Sequence, residues 1–400
     1  MGVTRNAGKV DPAQNHVGAA IAKYRRMRGL TQHQLAAAAH VSRSMLAQVE
    51  TGKAQASTVW IGSIANALRV DSSRLYGTGS EPEQLVDVLP VLRRSLAAVD
   101  LMDDIEPAPL EQLQVMVAEV SAWRRDAKYS KITAVLPDLV DQLLVSGREA
   151  GRPAYTLLVD AYRAANTVAH KLGYSDLSMT ATERMVWAAQ QSGDPLLLST
   201  VHYVQAATLS RIGADRKALR LLARSMSDIE PLADEDATAG AVYSILHMRA
   251  GTIAAAAGEG DTARSHLAEA EQLARHIGDR VVYNTPVGPT NVKLYQVCAE
   301  ADLGEPGRAI EIAKTTRMPS GFPAERRSYF WVDTARAFLA AGQLDAAMAA
   351  LQESRLASAE HFRSSRAVRS TIETLATQQR RPSETLRSLA HAAGLDALLV

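Results

Sequence analysis

The sequence predicts an all-α protein in which a small bundle of short helices precedes a long series of helical hairpins. Only 5% of its 400 residues are aromatic, 47% are hydrophobic, and alanine is abundant, a balance that suits close-packed helices better than sheets. Glycines recur between helical stretches at intervals of 38 to 46 residues, as in proteins built from stacked helix pairs. The length predicts two domains.

Five short helices are predicted within the first 76 residues. Thr31, with Gln34 three positions later, has the pattern of a capping box, and Gly29 is placed to end the helix before it. The first helical residue or cap of each helix is expected at Val17, Thr31, Ser42, Ser57 or Thr58, and Asp71. Residues 77–84 have the glycine, serine and proline content of a linker.

The remaining chain reads as helical hairpins. In three of them an alanine follows the turn glycine at a fixed offset, which lets the paired helices approach closely. These alanines are Ala263, Ala309 and Ala347. The turn glycines are Gly173, Gly213, Gly258, Gly304 and Gly342, and the first helices are expected to begin near Pro153, Leu196, Ala237, Thr290 and Ala324. The longest irregular insertion is residues 278–292.

The charge of the chain is uneven. Residues 1–79 contain ten Lys or Arg and three acids, a net of +7, whereas the remainder contains 34 basic and 40 acidic residues, a net of −6. A basic N-terminal segment on an acidic body indicates a polyanionic partner for that segment. Charge alone would equally fit a small domain kept soluble by its cations.

The third predicted helix carries polar side chains that its own core does not need. On a helical wheel Met45, Leu46 and Val49 form the buried stripe. The side chains that point away are Arg43, Ser44, Ala47 and Gln48. Arginine can pair with guanine, glutamine with adenine and serine with either, while the alanine methyl can contact thymine. A helix-turn-helix that presents this face to the major groove is therefore predicted.

Residues 17–76 resemble the XRE, or Cro/C1-type, helix-turn-helix family of repressors. The resemblance is carried by "RRMRGLTQHQLAAAAHVSRSMLAQVETG" and "STVWIGSIANALRVDSSRLYG", and it implies a five-helix, lambda-repressor-like domain. It further implies that Gln32 supports a DNA phosphate and that Arg25 pairs with Glu50. The sequence departs from the family at His40, where glycine is usual, so a left-handed backbone is expected there, and at Ala56, where proline is common. The predicted DNA-binding residues are Gln32, Ser42, Arg43, Ser44, Ala47, Gln48 and Lys53.

Most of residues 80–380 resemble XRE-type regulators of actinomycete character that carry a C-terminal tetratricopeptide-like domain. The stretches "AWRRDAKYSKITAVLPDLV", "GPTNVKLYQVCAEADLGEPGRAIEIA" and "ERRSYFWVDTARAFLAAGQLDAAMAAL" carry this resemblance. The layout is more distantly similar to the RRNPP peptide-pheromone receptors. The predicted fold is thus a helix-turn-helix domain at 1–79 and, at 80–400, a helical linker and a tetratricopeptide-like α-solenoid for dimerisation and ligand sensing.

Polar and aromatic side chains interrupt the small apolar pattern of the first helices, which should line a concave groove. An asparagine amide can pair with the donor and acceptor of a peptide backbone, although tyrosines at such positions are commonly core and Asn291 could merely cap its helix. The candidate ligand-binding residues are Asn166, Tyr203, Tyr243, His247, Asn291 and Tyr295.

Motifs of catalysis and cofactor binding are absent. GxxxxGK, HExxH, GxSxG and CxxC do not occur, and His266 and His276 lie too far apart on one helix to share a metal ion. The single Cys298, in an apolar helical run, predicts an inert core thiol and a reducing compartment, and no export signal or membrane span is predicted. The expected protein is therefore a cytoplasmic, homodimeric regulator that binds a double-stranded DNA operator and a peptide or small-molecule effector, without cofactor, metal or membrane. The alternative is a protein-interaction scaffold that senses no ligand.

Overall fold

The computed structural model describes residues 17–70, 72, 75, 89–97, 105–379 and 381–395. Four short helices open the chain and are called the head (17–70): α1 (Val17–Met27), α2 (Gln32–Ala39), α3 (Arg43–Glu50) and α4 (Thr58–Ala67). The predicted linker and most of the fifth helix, from Asp71 to Tyr76, lie outside the described residues.

The helix starts of the head are those expected from its capping residues. The hydroxyl of Thr31 accepts from the Gln34 amide while the Gln34 side chain accepts from the Thr31 amide, which completes the capping box. Ser42 caps α3 and Ser57, rather than Thr58, caps α4. His40 ends α2 in the left-handed region, at φ 53° and ψ 47°, as expected from the position at which the family has glycine.

Five helical hairpins follow three preceding helices, Leu89–Ala97, Leu110–Arg125 and Tyr129–Ala150. In each hairpin the first helix is called the inner helix and the second the outer helix. The inner helices are Arg152–Lys171, Pro195–Arg211, Ala237–Ala256, Pro289–Asp302 and Ala324–Ala340. The outer helices are Ser175–Ser192, Asp215–Ala233, Gly260–Ile277, Pro306–Thr315 and Leu344–Ala357. The chain ends with Ala359–Ser364, Arg366–Gln378 and Glu384–Ala392.

Each hairpin turns at the glycine that the sequence indicated. All five glycines have φ between 74° and 82°, which a residue with a Cβ adopts only at a cost. The alanines expected to let the helices pair closely are fully buried. Consecutive helices pack antiparallel and neighbouring hairpins stack, which gives the predicted α-solenoid.

The insertion at 278–292 is more ordered than the sequence indicated. It contains a two-stranded antiparallel hairpin, β1 (Arg280–Val282) and β2 (Thr285–Val287), joined by Tyr283 and Asn284. Both turn residues have positive φ, 43° and 53°, the conformation required by a tight hairpin turn that matches the twist of the strands. The side chains of β2 are buried, so tertiary packing stabilises a pairing too short to be recognised from sequence alone.

The head rests on the edge of the solenoid at which the inner helices end. Gly62 of α4 packs against the last residues of the second inner helix, because a Cβ there would lie 2.6 Å from the carbonyl oxygen of Arg211. The turn before α3 lies beside Gly258 of the third hairpin. Ala256 joins the hydrophobic core of the head. The basic head thus faces the carboxyl ends of helices, where the helix dipole is negative.

Polar contacts fix the head at this edge. The buried Gln55 donates from Nε2 to the carbonyl of Ser370 (2.9 Å) and accepts from the Ser370 hydroxyl (2.6 Å). Nε of Arg336 donates to the backbone oxygen of Gln55 at 3.1 Å. The Ser57 amide donates to Asp302 at 3.2 Å, so three separate helices hold the segment between α3 and α4.

Candidate nucleic-acid interface and inner cavity

Helix α3 presents a polar face that the head's core leaves open. Met45, Leu46 and Val49 are buried, whereas Arg43 and Ser44 are exposed. Ser42 caps the helix by accepting from the Met45 amide at 3.4 Å. Two hydrogen-bonding side chains, Arg43 and Ser44, therefore project from the capped amino end of α3.

The other predicted DNA-binding residues surround this face. Ala47 and Gln48 are half-buried, and Nε2 of Gln48 donates to the hydroxyl of Ser44 at 3.4 Å, one helical turn away. Lys53 is exposed just beyond the end of α3. The structure thus brings Arg43, Ser44 and Gln48 onto one surface, with Lys53 at the far end of the same helix.

A partly buried hydrogen-bond network joins α1, α2 and α3. Arg25 donates to both oxygens of Glu50, at 2.6 and 2.9 Å, and to the carbonyl of Leu30. The hydrogen bond with Glu50 raises the pKa of Arg25. Gln32 donates to the same carboxylate at 2.8 Å. The ion pair implied by the family resemblance is present, and Gln32 is oriented by it at the start of α2.

A cavity of about 260 Å³ lies between the head and the inner helices. All five inner helices contribute to its wall, together with the Leu110–Arg125 helix and β2. The head closes one side with Ser57, Thr58 and Val59, at the amino end of α4. The first helices of the hairpins therefore do face one common space, and the head is part of its boundary.

Four of the six candidate ligand residues line this cavity: Asn166, Tyr203, Asn291 and Tyr295. The amide of Asn166 is directed at the neighbouring helix, where it donates to the carbonyl of Ser178 at 2.9 Å. Asn291 donates to the carbonyl of Pro286 at 2.8 Å and accepts from Nε of Arg326 at 3.0 Å. The two tyrosine hydroxyls hydrogen-bond to each other. Hydrogen bonds within the protein therefore hold these four side chains in position.

The other two candidates, Tyr243 and His247, lie outside the cavity wall. His247 packs against Tyr243 and the outer helix, where its Nδ1 lies 3.0 Å from Nδ1 of His266. Burial lowers the pKa of His247 to about 4, and the charge of His266 adds to this effect. The sequence comparison of histidines along one helix missed this pair because its members belong to two helices.

Arginines are the feature of the cavity that sequence reasoning missed. Five arginines of the inner helices lie in the wall: Arg163, Arg211, Arg249, Arg326 and Arg336. Their role is not evident from the sequence, since arginine on a helix is ordinarily a solvated surface residue.

Burial and neighbouring charges shift the pKa values of several side chains in the wall. Burial lowers the pKa of Arg163 to about 9, with repulsion from Arg124 as the second cause. Burial also lowers the pKa of Arg211 to about 10. Burial alone would raise the pKa of Tyr203, but the positive charges of Arg249 and Arg326 outweigh it and lower this pKa to about 8. The field in the cavity is therefore positive.

Cys298 also lines the cavity, where it is half-buried. The prediction that this thiol lies in the core was therefore wrong, because Cys298 lies in the cavity wall. Burial raises the pKa of this thiol well above its usual value, which keeps it protonated and weakly nucleophilic.

The family model described as a helix-turn-helix domain matches residues 16–75. No curated protein matches the chain. The match covers the head, and the exposed face of α3 lies within it. Among the described residues, none of the helices is both long and apolar enough to cross a membrane. The same part of the chain contains no group of three or more His, Cys, Asp or Glu placed to share a metal ion.

Proposed function

We propose that the protein is a sequence-specific, DNA-binding transcriptional regulator, with residues 1–79 as the DNA-binding domain and 80–400 as a repeat domain that dimerises and senses a ligand. The observation that carries the proposal is the exposed face of α3, with Arg43, Ser44 and Gln48 together, inside a matched helix-turn-helix domain. These side-chain types read base edges in the major groove.

In this proposal the DNA contacts divide into two kinds. Arg43, Ser44, Ala47 and Gln48 read bases from α3. Gln32, Ser42 and Lys53 contact phosphates, because they lie at helix ends and beyond α3. Phosphate contacts position the protein on the duplex, and base contacts select the sequence.

Control by an effector is supported by the shared wall of the cavity. The third inner helix carries Arg249 and Thr252 into the cavity and ends at Ala256, in the core of the head. Helix α4 begins at the cavity with Thr58 and packs on the second inner helix through Gly62. A ligand that contacts both sides would favour one head position over another, and only such differential binding can shift DNA affinity.

The test is selection of duplexes from a random library by the full-length protein. We expect one enriched motif with two inverted half-sites, because a homodimer presents two heads. The double variant Arg43→Ala/Gln48→Ala should fold and lose the motif, whereas Arg220→Ala, an exposed arginine on an outer helix, should retain it. Enrichment of unrelated sequences by the wild-type protein would contradict sequence-specific binding.

A further inference from the structure

The cavity wall contains many more positive than negative groups. Nine arginine or lysine side chains and three carboxylates line it. The carboxylates already have cationic partners: Asp302 and Asp333 pair with Arg336 at 2.5 and 2.7 Å. Glu325 pairs with Lys171 at 3.6 Å. The negative charges of the wall are thus committed to two of its nine cations.

Six of the other arginines have only neutral hydrogen-bond partners. Examples are Arg163, which donates to the carbonyl of Tyr283 at 2.8 Å, and Arg211, which donates to the hydroxyl of Thr208 at 2.8 Å. Within the described residues, no carboxylate oxygen comes within 4 Å of a nitrogen of any of the six, which are Arg124, Arg125, Arg163, Arg211, Arg249 and Arg326.

One carboxylate outside the cavity wall attracts three of these six arginines. Asp160 is half-buried, accepts from Asn284 at 2.7 Å and attracts Arg163, Arg124 and Arg125. A single carboxylate cannot balance the cluster. Buried and half-buried cations without a counter-charge are costly to a folded protein, so their concentration around one cavity needs a reason other than stability.

In two of these guanidinium groups a buried N–H lacks a hydrogen-bond acceptor within the described residues. Nε of Arg124 and Nε of Arg249 are buried and meet no acceptor among the described residues. Arg124 is 7% exposed. The head adds the amino end of α4, a ten-residue helix that begins at the cavity with Thr58. The positive end of a helix dipole there adds to the same field.

We propose that the cavity binds a small anion bearing at least two negative charges, as phosphate or carboxylate groups, held by Arg249, Arg211, Arg163 and Arg124. Guanidinium groups are suited to bidentate recognition of both anions. The cavity volume of about 260 Å³ admits a small molecule and not an extended peptide. The anion site itself follows from the cavity, and only its identification as the effector site rests on the proposed function.

The test uses isothermal titration of the full-length protein with four probes: pyrophosphate, citrate, spermidine and sorbitol. Pyrophosphate or citrate should bind and raise the melting temperature, whereas the cation and the neutral polyol should do neither. The two anions distinguish phosphate from carboxylate chemistry. In Arg249→Gln, whose amide can still donate to Tyr295, the dissociation constant of the favoured anion should rise about tenfold or more, since a charge-assisted contact is lost.

Two further variants keep the test decisive. Arg211→Gln replaces a second cation and should act in the same direction if Arg249→Gln fails to fold. Arg220→Gln, on an exposed surface of an outer helix, should bind as the wild type does and controls for the loss of one arginine charge outside the cavity. Equal binding by all three variants, binding of spermidine in preference to the anions, or no response of the wild type would overturn the proposal.

DNA binding is measured separately, by anisotropy on the enriched duplex. If the anion binds in the cavity and DNA affinity stays constant, the anion site stands and effector control fails. If no anion binds and the enriched duplex is still recognised, the anion site fails and DNA recognition stands. A change of DNA affinity that Arg249→Gln abolishes, and Arg220→Gln retains, supports both.

Discussion

At the scale of single residues, the proposed function gives Arg43 a contact with base edges and Lys53 a contact with phosphates. Both are exposed, at the start of α3 and just beyond its end. Arg43→Ala should cost about 1–3 kcal/mol on the preferred duplex and little on random DNA, because a bidentate base contact is lost. Lys53→Ala should weaken all duplexes alike and reduce the slope of log K against log salt by about one. Competition binding at several salt concentrations checks both, and unchanged preference in Arg43→Ala would remove it from the reading residues.

His40 occupies a conformation that glycine adopts more easily. Its φ is 53°, and its exposed ring contacts Arg216 at 3.1 Å. Replacement by glycine removes the left-handed strain but gives the unfolded chain more freedom. We expect His40→Gly to raise the free energy of unfolding by about 0.5 kcal/mol, measured by urea denaturation. A free energy of unfolding below that of the wild type would mean that the contact with Arg216 stabilises the fold by more than the left-handed strain costs.

The His247–His266 pair predicts a dependence of stability on pH. Its two Nδ1 atoms share one hydrogen bond, so the pair is most stable when both rings are neutral. Burial lowers the pKa of both, that of His247 to about 4, below the value near 6.5 of an unfolded chain. The unfolded state therefore takes up protons first, and the free energy of unfolding should fall as pH decreases from about 6.5 towards 4.

Two further histidines, His170 and His361, whose pKa values burial also lowers, contribute in the same direction. His247→Gln should therefore make the decline between pH 7 and pH 5 shallower without removing it. The matched control is His276→Gln, at an exposed position near the end of the same outer helix as His266. Identical pH profiles for the two variants would show that the His247–His266 pair does not contribute.

At the scale of helices, Gly62 sets how closely the head approaches the solenoid. A Cβ at this position would meet the carbonyl oxygens of Arg211 and Ser210, at 2.6 and 2.7 Å. Both are backbone atoms, so the helices must separate. We expect Gly62→Ala to destabilise the docked head by about 1–3 kcal/mol, seen as faster proteolysis between head and solenoid. Gly307→Ala is the control, since a Cβ there meets nothing within 4 Å, and equal proteolysis of both variants would contradict the tight contact.

The sequence predicted the elements well because their determinants are local. Capping residues and turn glycines act within one helical turn, so the starts of α2 and α3 and the five hairpin turns follow from a few adjacent residues. The short β-hairpin was not predicted because its pairing depends on burial of β2. The arginine-lined cavity was not predicted for a related reason. Arginines more than a hundred residues apart, such as Arg124 and Arg249, meet only after the hairpins have stacked.

At the scale of the whole molecule, the proposal requires two heads at a fixed distance. The head is held to the solenoid by Gln55, Arg336 and Gly62, so it cannot adjust freely to different half-site spacings. If the solenoid dimerises, binding should be strong only for half-sites on the same face of the duplex, about 34 Å apart or a multiple of that distance.

Duplexes with half-site centres 10, 15 and 20 base pairs apart test this geometry. Because 15 base pairs turn the second half-site to the opposite face, we expect that duplex to bind at least about tenfold more weakly than the better of the other two. In Gly62→Ala the looser head should reduce this difference, while Gly307→Ala should preserve it. Light scattering should give a dimer for all three proteins. A monomeric wild type, or equal affinity for the three spacings, would mean that the heads act independently and that the solenoid has another purpose.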